Sequence, residues 1–166
     1  MRSISDRFKA ALFKENTDEV TTALITITHP DLPTTLRFSS NPSQRLSTEP
    51  LAYGTISRGE TFDYVPMKFT LPADQDDAPP TIDIIIVNVG RETVPLLRST
   101  LTPASVTVEI ILDAYPDDVE ATFPEFDLVS APYEGETATL SLAVDTMQTE
   151  PYPAGTFSPS GFPGLF

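Results

Sequence analysis

Few side chains in this sequence can take part in acid–base, nucleophilic or metal chemistry. There is one histidine, His29, and no cysteine among 166 residues. Thiol nucleophiles, Cys-type zinc sites, iron–sulfur clusters and disulfides are therefore excluded. His29 stands in the run His29-Pro30-Asp31-Leu32-Pro33, which reads as a turn, and the residue is expected to be exposed there rather than to act as a general base. One histidine supports neither a His-rich metal set nor a Ser-His-Asp triad. The carboxylates are numerous, but a pair such as Glu125 and Asp127, two apart on a strand, simply lines one outward face. The acids of residues 74–77 lack the glycine and the distal glutamate of an EF-hand loop. No phosphate-binding loop, dinucleotide fingerprint or nucleophile elbow is present. The expectation is a protein that is not an enzyme, with no cofactor, no metal and no catalytic residues.

The elements that would position any site read as mainly β. Residues 5–14 form the one good helix: Ser5 caps it, Asp6 lies in its first turn, and Ile4, Phe8 and Ala11 or Leu12 fall on one face. Residues 21–28 alternate, with Ala23, Ile25 and Ile27 on one side and Leu24 the exception. A second strand at 35–39 makes a hairpin with them. Residues 41–50 read as a polar excursion over the surface. Strands at 51–56 and 61–71 flank Ser57-Arg58-Gly59-Glu60, and Pro66 marks an edge or a bulge.

Residues 82–89 carry branched aliphatics at both parities, which suits a central strand covered on both faces. Residues 91–101 are weakly helical. Alternation returns at 104–112, at 121–130 and at 137–144, with turns at 113–118 and 133–136. Short alternating strands between turns predict an antiparallel β-sandwich or barrel with a short N-terminal helix.

The last 17 residues differ in kind. Pro151, Pro153, Pro159 and Pro163 bar a helix or a central strand, yet Tyr152, Phe157, Phe162, Leu165 and Phe166 are too apolar for a plain linker. The division expected is a β-rich domain over 1–149 and an extended arm over 150–166. The arm either folds back on its own core or docks on a partner, and those five side chains are the candidate subunit contacts.

Charge is unevenly spread. The formal charge is −14, and eleven of the 24 acidic residues but none of the ten basic ones follow Arg98. Such a surface does not grip phosphates, so specific nucleic-acid binding is not expected. Glu109, Asp117, Asp118, Glu120, Glu125 and Asp127 are candidates for an acidic surface lining a lumen that DNA slides past. No run of membrane-spanning length is present, and no direct membrane insertion is expected.

Residues 150–166, together with Phe69-Thr70-Leu71-Pro72 and the run Ile82-Asp83-Ile84-Ile85-Ile86-Val87-Asn88-Val89, resemble a family of uncharacterised proteins encoded among the tail genes of tailed bacteriophages and prophages. The resemblance covers nearly the whole chain. A fainter similarity runs to the N-terminal part of the minor tail protein L of lambdoid phages. There, two late strands are followed by a Phe-Pro-Gly segment like Phe162-Pro163-Gly164. The cysteine-rich cluster that follows in that protein has no counterpart here.

The resemblance implies a structural component of the virion's tail tip or baseplate hub, made in the host cytoplasm. It would sit in a homo-oligomeric ring, a trimer rather than a hexamer, at the distal end of the tail tube. The implied partners are other tail-tip proteins: the distal tail protein and the hub or central fibre protein. The alternative is a β-sandwich binding module for a host surface glycan. The absence of tryptophan counts against it, because such sites favour exposed aromatics.

Overall fold

The computed structural model describes residues 4–70, 81–87, 102–134 and 137–144. Among the described residues, one helix, α1 (Asp6–Phe13), precedes eleven strands: β1 (Thr21–Thr28), β2 (Leu36–Ser39), β3 (Gln44–Thr48), β4 (Leu51–Ser57), β5 (Glu60–Tyr64), β6 (Met67–Thr70), β7 (Thr81–Val87), β8 (Ser105–Leu112), β9 (Tyr115–Ser130), β10 (Tyr133–Glu134) and β11 (Thr137–Ala143). They form one continuous sheet in the order β3-β4-β5-β2-β1-β8-β9-β11-β7-β6, with β10 paired to β11. The expected mainly-β, sandwich-like fold with a short N-terminal helix is what the chain adopts. The sheet is mixed rather than purely antiparallel, because β2 and β5 run parallel, with Phe38 opposite Asp63. An ion pair at 3.1 Å between Arg37 and Glu60 ties these two strands together.

The long strand β9 turns one sheet into two layers. Its first part pairs with β8 through three register shifts, and its last residues pair with β11. Asp127 stands opposite Ser105 on one side and Ala143 on the other. Bulges bend and twist a strand, and here they fold β7 and β11 back over β1 and β8. The layers share one core: Ala23, Ile25 and Ile27 from β1, alternate residues of β8, and Ile82, Ile84, Ile86, Leu140 and Leu142 from the far layer. Phe8 of α1 is buried in the same cluster, with Ile4 packed against it. Leu12, a candidate for that face, is instead exposed, and Ala11 is half-buried.

Leu24, which broke the alternation of β1, has a place of its own. It joins Phe62 of β5 and Ile111 of β8 in a second, smaller cluster, with Val119 of β9 against it. The β4–β5 hairpin thus packs over the outer face of β1, β8 and β9. Its tip is a two-residue turn with left-handed backbone at both Arg58 (φ 52°) and Gly59 (φ 80°), the type I′ geometry that matches the twist of hairpin strands.

Four readings of the sequence change. Residues 41–50 are not only a surface excursion, since β3 lies among them and pairs with β4 through a turn that contains the cis Glu49–Pro50 bond. Residues 113–118 are not all turn: Asp113 and Ala114 suffice to reverse the chain, and β9 starts at Tyr115. The expected turn at 133–136 holds the two residues of β10. Finally, β7 is covered on one face only, with Ile85 39% and Val87 41% exposed. Pro66 falls between β5 and β6, and its carbonyl accepts a hydrogen bond from the Val87 N–H at 2.8 Å. The acids of 74–77, the weak helix at 91–101 and the arm at 150–166 lie outside the described residues.

Candidate functional site

His29 is buried, contrary to the expectation of an exposed turn residue, with 1% of its side chain accessible. Its Nε2 lies 2.6 Å from Thr102 Oγ1, its Nδ1 accepts from the Asp31 backbone N–H at 3.0 Å, and the Asp31 carboxylate stands 3.7 Å from Nδ1. A hydroxyl, an imidazole and a carboxylate in this order have the outline of a nucleophile, a base and an orienting acid. The hydrogen atoms run the wrong way. Because Nδ1 accepts from a backbone N–H, the ring proton sits on Nε2 and is donated to Thr102. A base must instead present a bare Nε2 to the hydroxyl and a protonated Nδ1 to the carboxylate. The histidine fastens the 29–33 turn to residue 102 beside an open groove of about 350 Å³ lined by Thr28, Leu32, Pro33, Thr35, Pro103 and Ser105.

Four of the six acids assigned to a lumen surface are engaged by their own chain. Glu109 on β8 receives both guanidinium arms of Arg58, one at 3.0 Å, and Asp117 on β9 accepts from the Arg58 backbone N–H. The turn between β4 and β5 is therefore pinned to both strands beneath it. The hydrogen bond to Glu109 is the main cause holding the Arg58 guanidinium above its ordinary pKa. Burial opposes it, and the charges of Glu109 and Asp117 add to it. A raised pKa of this kind stabilises the fold fully at every pH below the ordinary arginine range, and the contribution is lost only above it.

Asp118 pairs with Arg7 of α1 at 3.7 Å, and the same guanidinium stacks 4.2 Å from the Tyr115 ring centroid. Asp127 is half-buried at the layer junction. The side chain of Glu125 lies outside the described residues.

Glu120 is the most specific of the set. It is 8% exposed, and a buried carboxylate is tolerated only when hydrogen-bonded. Its two oxygens accept from Ser5 N at 2.9 Å and Ser5 Oγ at 2.7 Å, while Ser5 Oγ accepts in turn from Phe8 N at 3.1 Å. The helix cap read from the sequence is thus itself held by a strand carboxylate 115 residues away. An isolated eight-residue helix is marginal in water, so α1 depends on this clamp and on Phe8.

Glu120→Gln leaves one acceptor for two donors and should cost about 1.5–3 kcal/mol. Amide hydrogen exchange over residues 5–13 should speed up at least about tenfold while β8 and β9 stay protected. Unchanged exchange would show that Phe8 alone holds the helix.

A third polar cluster carries no signal in the sequence beyond a run of Ser and Asn. Thr55 Oγ1 lies 2.7 Å from Ser39 Oγ, 2.9 Å from Ser43 Oγ and 3.2 Å from the Asn41 carbonyl. Ser43 Oγ donates to the Asp113 carboxylate. Asp113 can only accept, so it orients the relay: Ser43 donates to Asp113 and leaves its own oxygen open to Thr55. The network joins the β2–β3 connection, β4 and the β8–β9 turn. Among the described residues, no group of three or more His, Cys, Asp or Glu side chains is placed to hold a metal ion.

Residues 5–131 match the family described as Domain of unknown function (DUF1833). The chain belongs to DUF1833. No curated protein matches it. The DUF1833 match runs from the Ser5 cap to the end of β9 and so contains both partners of the Ser5–Glu120, Arg7–Asp118 and Arg58–Glu109 contacts. In this DUF1833 chain, β10, β11 and the arm residues Tyr152, Phe157, Phe162, Leu165 and Phe166 follow the matched span, and the arm lies outside the described residues.

Proposed function

We propose that this DUF1833 chain is a structural component of a bacteriophage tail tip or baseplate hub, forming part of a ring at the distal end of the tail tube through which DNA passes. The observation that carries the reading is where the ionic groups are spent. Glu109, Asp117, Asp118 and Glu120 each tie one element of the domain to another, as suits a rigid building block. The Pro- and aromatic-rich arm carries apolar groups suited to contact between subunits. The resemblance of the arm and of residues 82–89 to tail-module proteins supports the same conclusion. The negative balance of residues 99–166 suits a wall that phosphates do not adhere to.

The test is co-expression of the tagged chain with the products of its neighbouring genes, followed by native mass spectrometry. Recovery with tail-hub proteins in a three-fold ratio is the expected result. Recovery of the chain alone, as a monomer that retains a glycan, would replace this reading with a binding module.

The acidic wall has a test of its own. Glu109 and Glu120 are structural clamps, so neutralising them would confuse folding with passage. Asp118→Asn with Asp127→Asn removes two charges, leaves those clamps intact and gives up only the exposed Arg7–Asp118 pair, a contribution of about 0–1 kcal/mol. Assembled particles carrying both changes should eject DNA several-fold more slowly, most visibly at low salt, where charges act over a longer range. Equal ejection rates at every salt concentration would remove the lumen role.

A further inference from the structure

We propose that the buried hydroxyl cluster between the β1–β2 ladder and β4 binds one alkali-metal cation, held by Ser39 Oγ, Thr55 Oγ1, the Asn41 carbonyl and Thr22 Oγ1. The site is independent of the ring reading. Its first support is a shortage of hydrogens. Five oxygen–oxygen contacts join the cluster. Ser39 Oγ lies 2.9 Å from Asn41 O and 2.7 Å from Thr55 Oγ1. Thr55 Oγ1 lies 3.2 Å from Asn41 O and 2.9 Å from Ser43 Oγ, and Ser43 Oγ meets the Asp113 carboxylate. Only the hydroxyls of Ser39, Ser43 and Thr55 bring hydrogens to these contacts, one each. Five contacts less three hydrogens leaves two in which bare oxygen faces oxygen, whichever way the hydroxyls turn.

The second support is Thr22. It is fully buried, as are Ser39 and Thr55, and its Oγ1 has no hydrogen-bond partner within the protein. A buried orphan of this kind costs free energy. The ladder sets it against the cluster. Leu24 pairs with Ser39, so Thr22, two residues back along β1, lies on the same face, one step further on. Ser40 N donates to the Ala23 carbonyl at 3.0 Å, and Ala23 N donates to Ser40 Oγ at 2.9 Å. These bonds carry the pairing one residue past β2 and hold Asn41 beside Thr22. Along the other edge of β1, Thr22 pairs with Ile111, two residues before Asp113.

Charge decides the class of ligand. Asp113 draws the Ser43 hydrogen to itself, which leaves Ser43 Oγ open to the Thr55 hydrogen and Thr55 Oγ1 open to that of Ser39. The far end of the relay is then a triangle of acceptors: Ser39 Oγ, Thr55 Oγ1 and Asn41 O. Among the described residues, Asp113 makes no ion pair with a basic side chain. Neutral oxygens beside one uncompensated negative charge suit one positive charge. Hard oxygen ligands disfavour transition metals. Calcium and magnesium sites are built on carboxylate ligands, and the triangle has none.

The test melts the full chain in N-methylglucamine chloride and in sodium or potassium chloride at equal ionic strength. Sodium or potassium should raise the melting temperature by several degrees, saturating with concentration as a one-site ligand does. The better of the two salts identifies the ion. Thr22→Val keeps the shape of the side chain and should abolish the salt-specific rise. In the organic salt it should match or exceed the parent, because the orphan hydroxyl is gone. Asp113→Asn should weaken the apparent cation affinity about tenfold or more, through loss of a full charge a few ångströms from the ion. Equal melting in all three salts would overturn the proposal. So would a Thr22→Val protein that keeps the full salt-specific rise. Loss of stability by Thr22→Val equally in every salt would also overturn it, and would assign the place to a buried water.

Discussion

Replacing Phe62 by Ala should destabilise the protein by about 3–5 kcal/mol, the range for removing a buried Phe from a well-packed site. Phe62 is 2% exposed and is the largest side chain in the small cluster with Leu24 and Ile111. It is also the one member of that cluster that comes from the β4–β5 hairpin. Its loss opens a cavity and removes the main apolar attachment of the hairpin to the β1–β8–β9 face. The remaining attachments are polar: the β2–β5 ladder with its Arg37–Glu60 pair, the Thr55 hydroxyl network, and the Arg58 grip on Glu109 and Asp117. Arg58 is 45% and Glu109 12% exposed at their side chains, and a hydrogen bond to a charged group contributes about 1.5–3 kcal/mol, less than the buried ring. These polar ties keep the hairpin in the sheet but do not replace the apolar contact that the ring supplies.

The expected signature is regional. Amide exchange should rise across β4 and β5 well before it rises in β7 and β11, whose side chains belong to the other cluster. A uniform rise across all strands would mean that the two clusters unfold as one cooperative unit. A loss below about 1 kcal/mol would mean that Leu24, Ile111 and Val119 close over the gap.

The parts of this fold legible in the sequence are those where period-2 alternation meets a one-sided environment. β11 alternates cleanly, and β1 and β8 each keep one parity of inward residues that the main core contains. Leu24 broke the rule because β1 is covered twice, by the main core on one face and by the hairpin on the other. The composition of β7 misled in the opposite direction. Its outward Ile85 and Val87 look buried by type, and nothing local to the strand says what would cover them.

Non-local contacts were not legible. Glu120 looks like one more acid of an acidic half, and only the approach of Ser5 makes it a cap for a cap. His29 looks like a loop residue because its neighbours are Pro30 and Asp31, while the partner of its buried Nε2 is Thr102, 73 residues away. The hydroxyl relay from Thr55 to Asp113 joins three connections and leaves no spacing to detect. Hydrogen-bonding side chains specify partners by position in space, and a periodic pattern specifies only a face.

Gly54→Ala is expected to be the most damaging single-methyl change in the described sheet. The backbone at Gly54 is not left-handed, since Arg58 and Gly59 are the two described residues with positive φ. Space is what excludes a side chain. A Cβ at Gly54 would fall 2.0 Å from the carbonyl oxygen of Phe62 and 2.6 Å from Leu46 Cδ1. Leu46 sits at the register shift between β3 and β4 and can swing aside at little cost. The carbonyl belongs to the neighbouring strand β5 and can move only if the β4–β5 ladder moves with it.

Overpacking of this kind costs about 1–3 kcal/mol and occasionally more. The upper end applies here because the displaced strand is the one that carries Phe62. Gly59→Ala provides the contrast. Its Cβ would meet nothing within 4 Å, but its φ of 80° is left-handed, so the cost is conformational and about 1–2 kcal/mol. Gly59→Asn should recover most of that loss, because Asn tolerates the left-handed region. Gly54→Asn should recover nothing. Urea unfolding of the four variants should rank Gly54→Asn and Gly54→Ala as the least stable and Gly59→Asn as the closest to the parent. If Gly54→Ala and Gly59→Ala were equally stable, the close approach of β4 to the Phe62 carbonyl would not be a constraint on this fold.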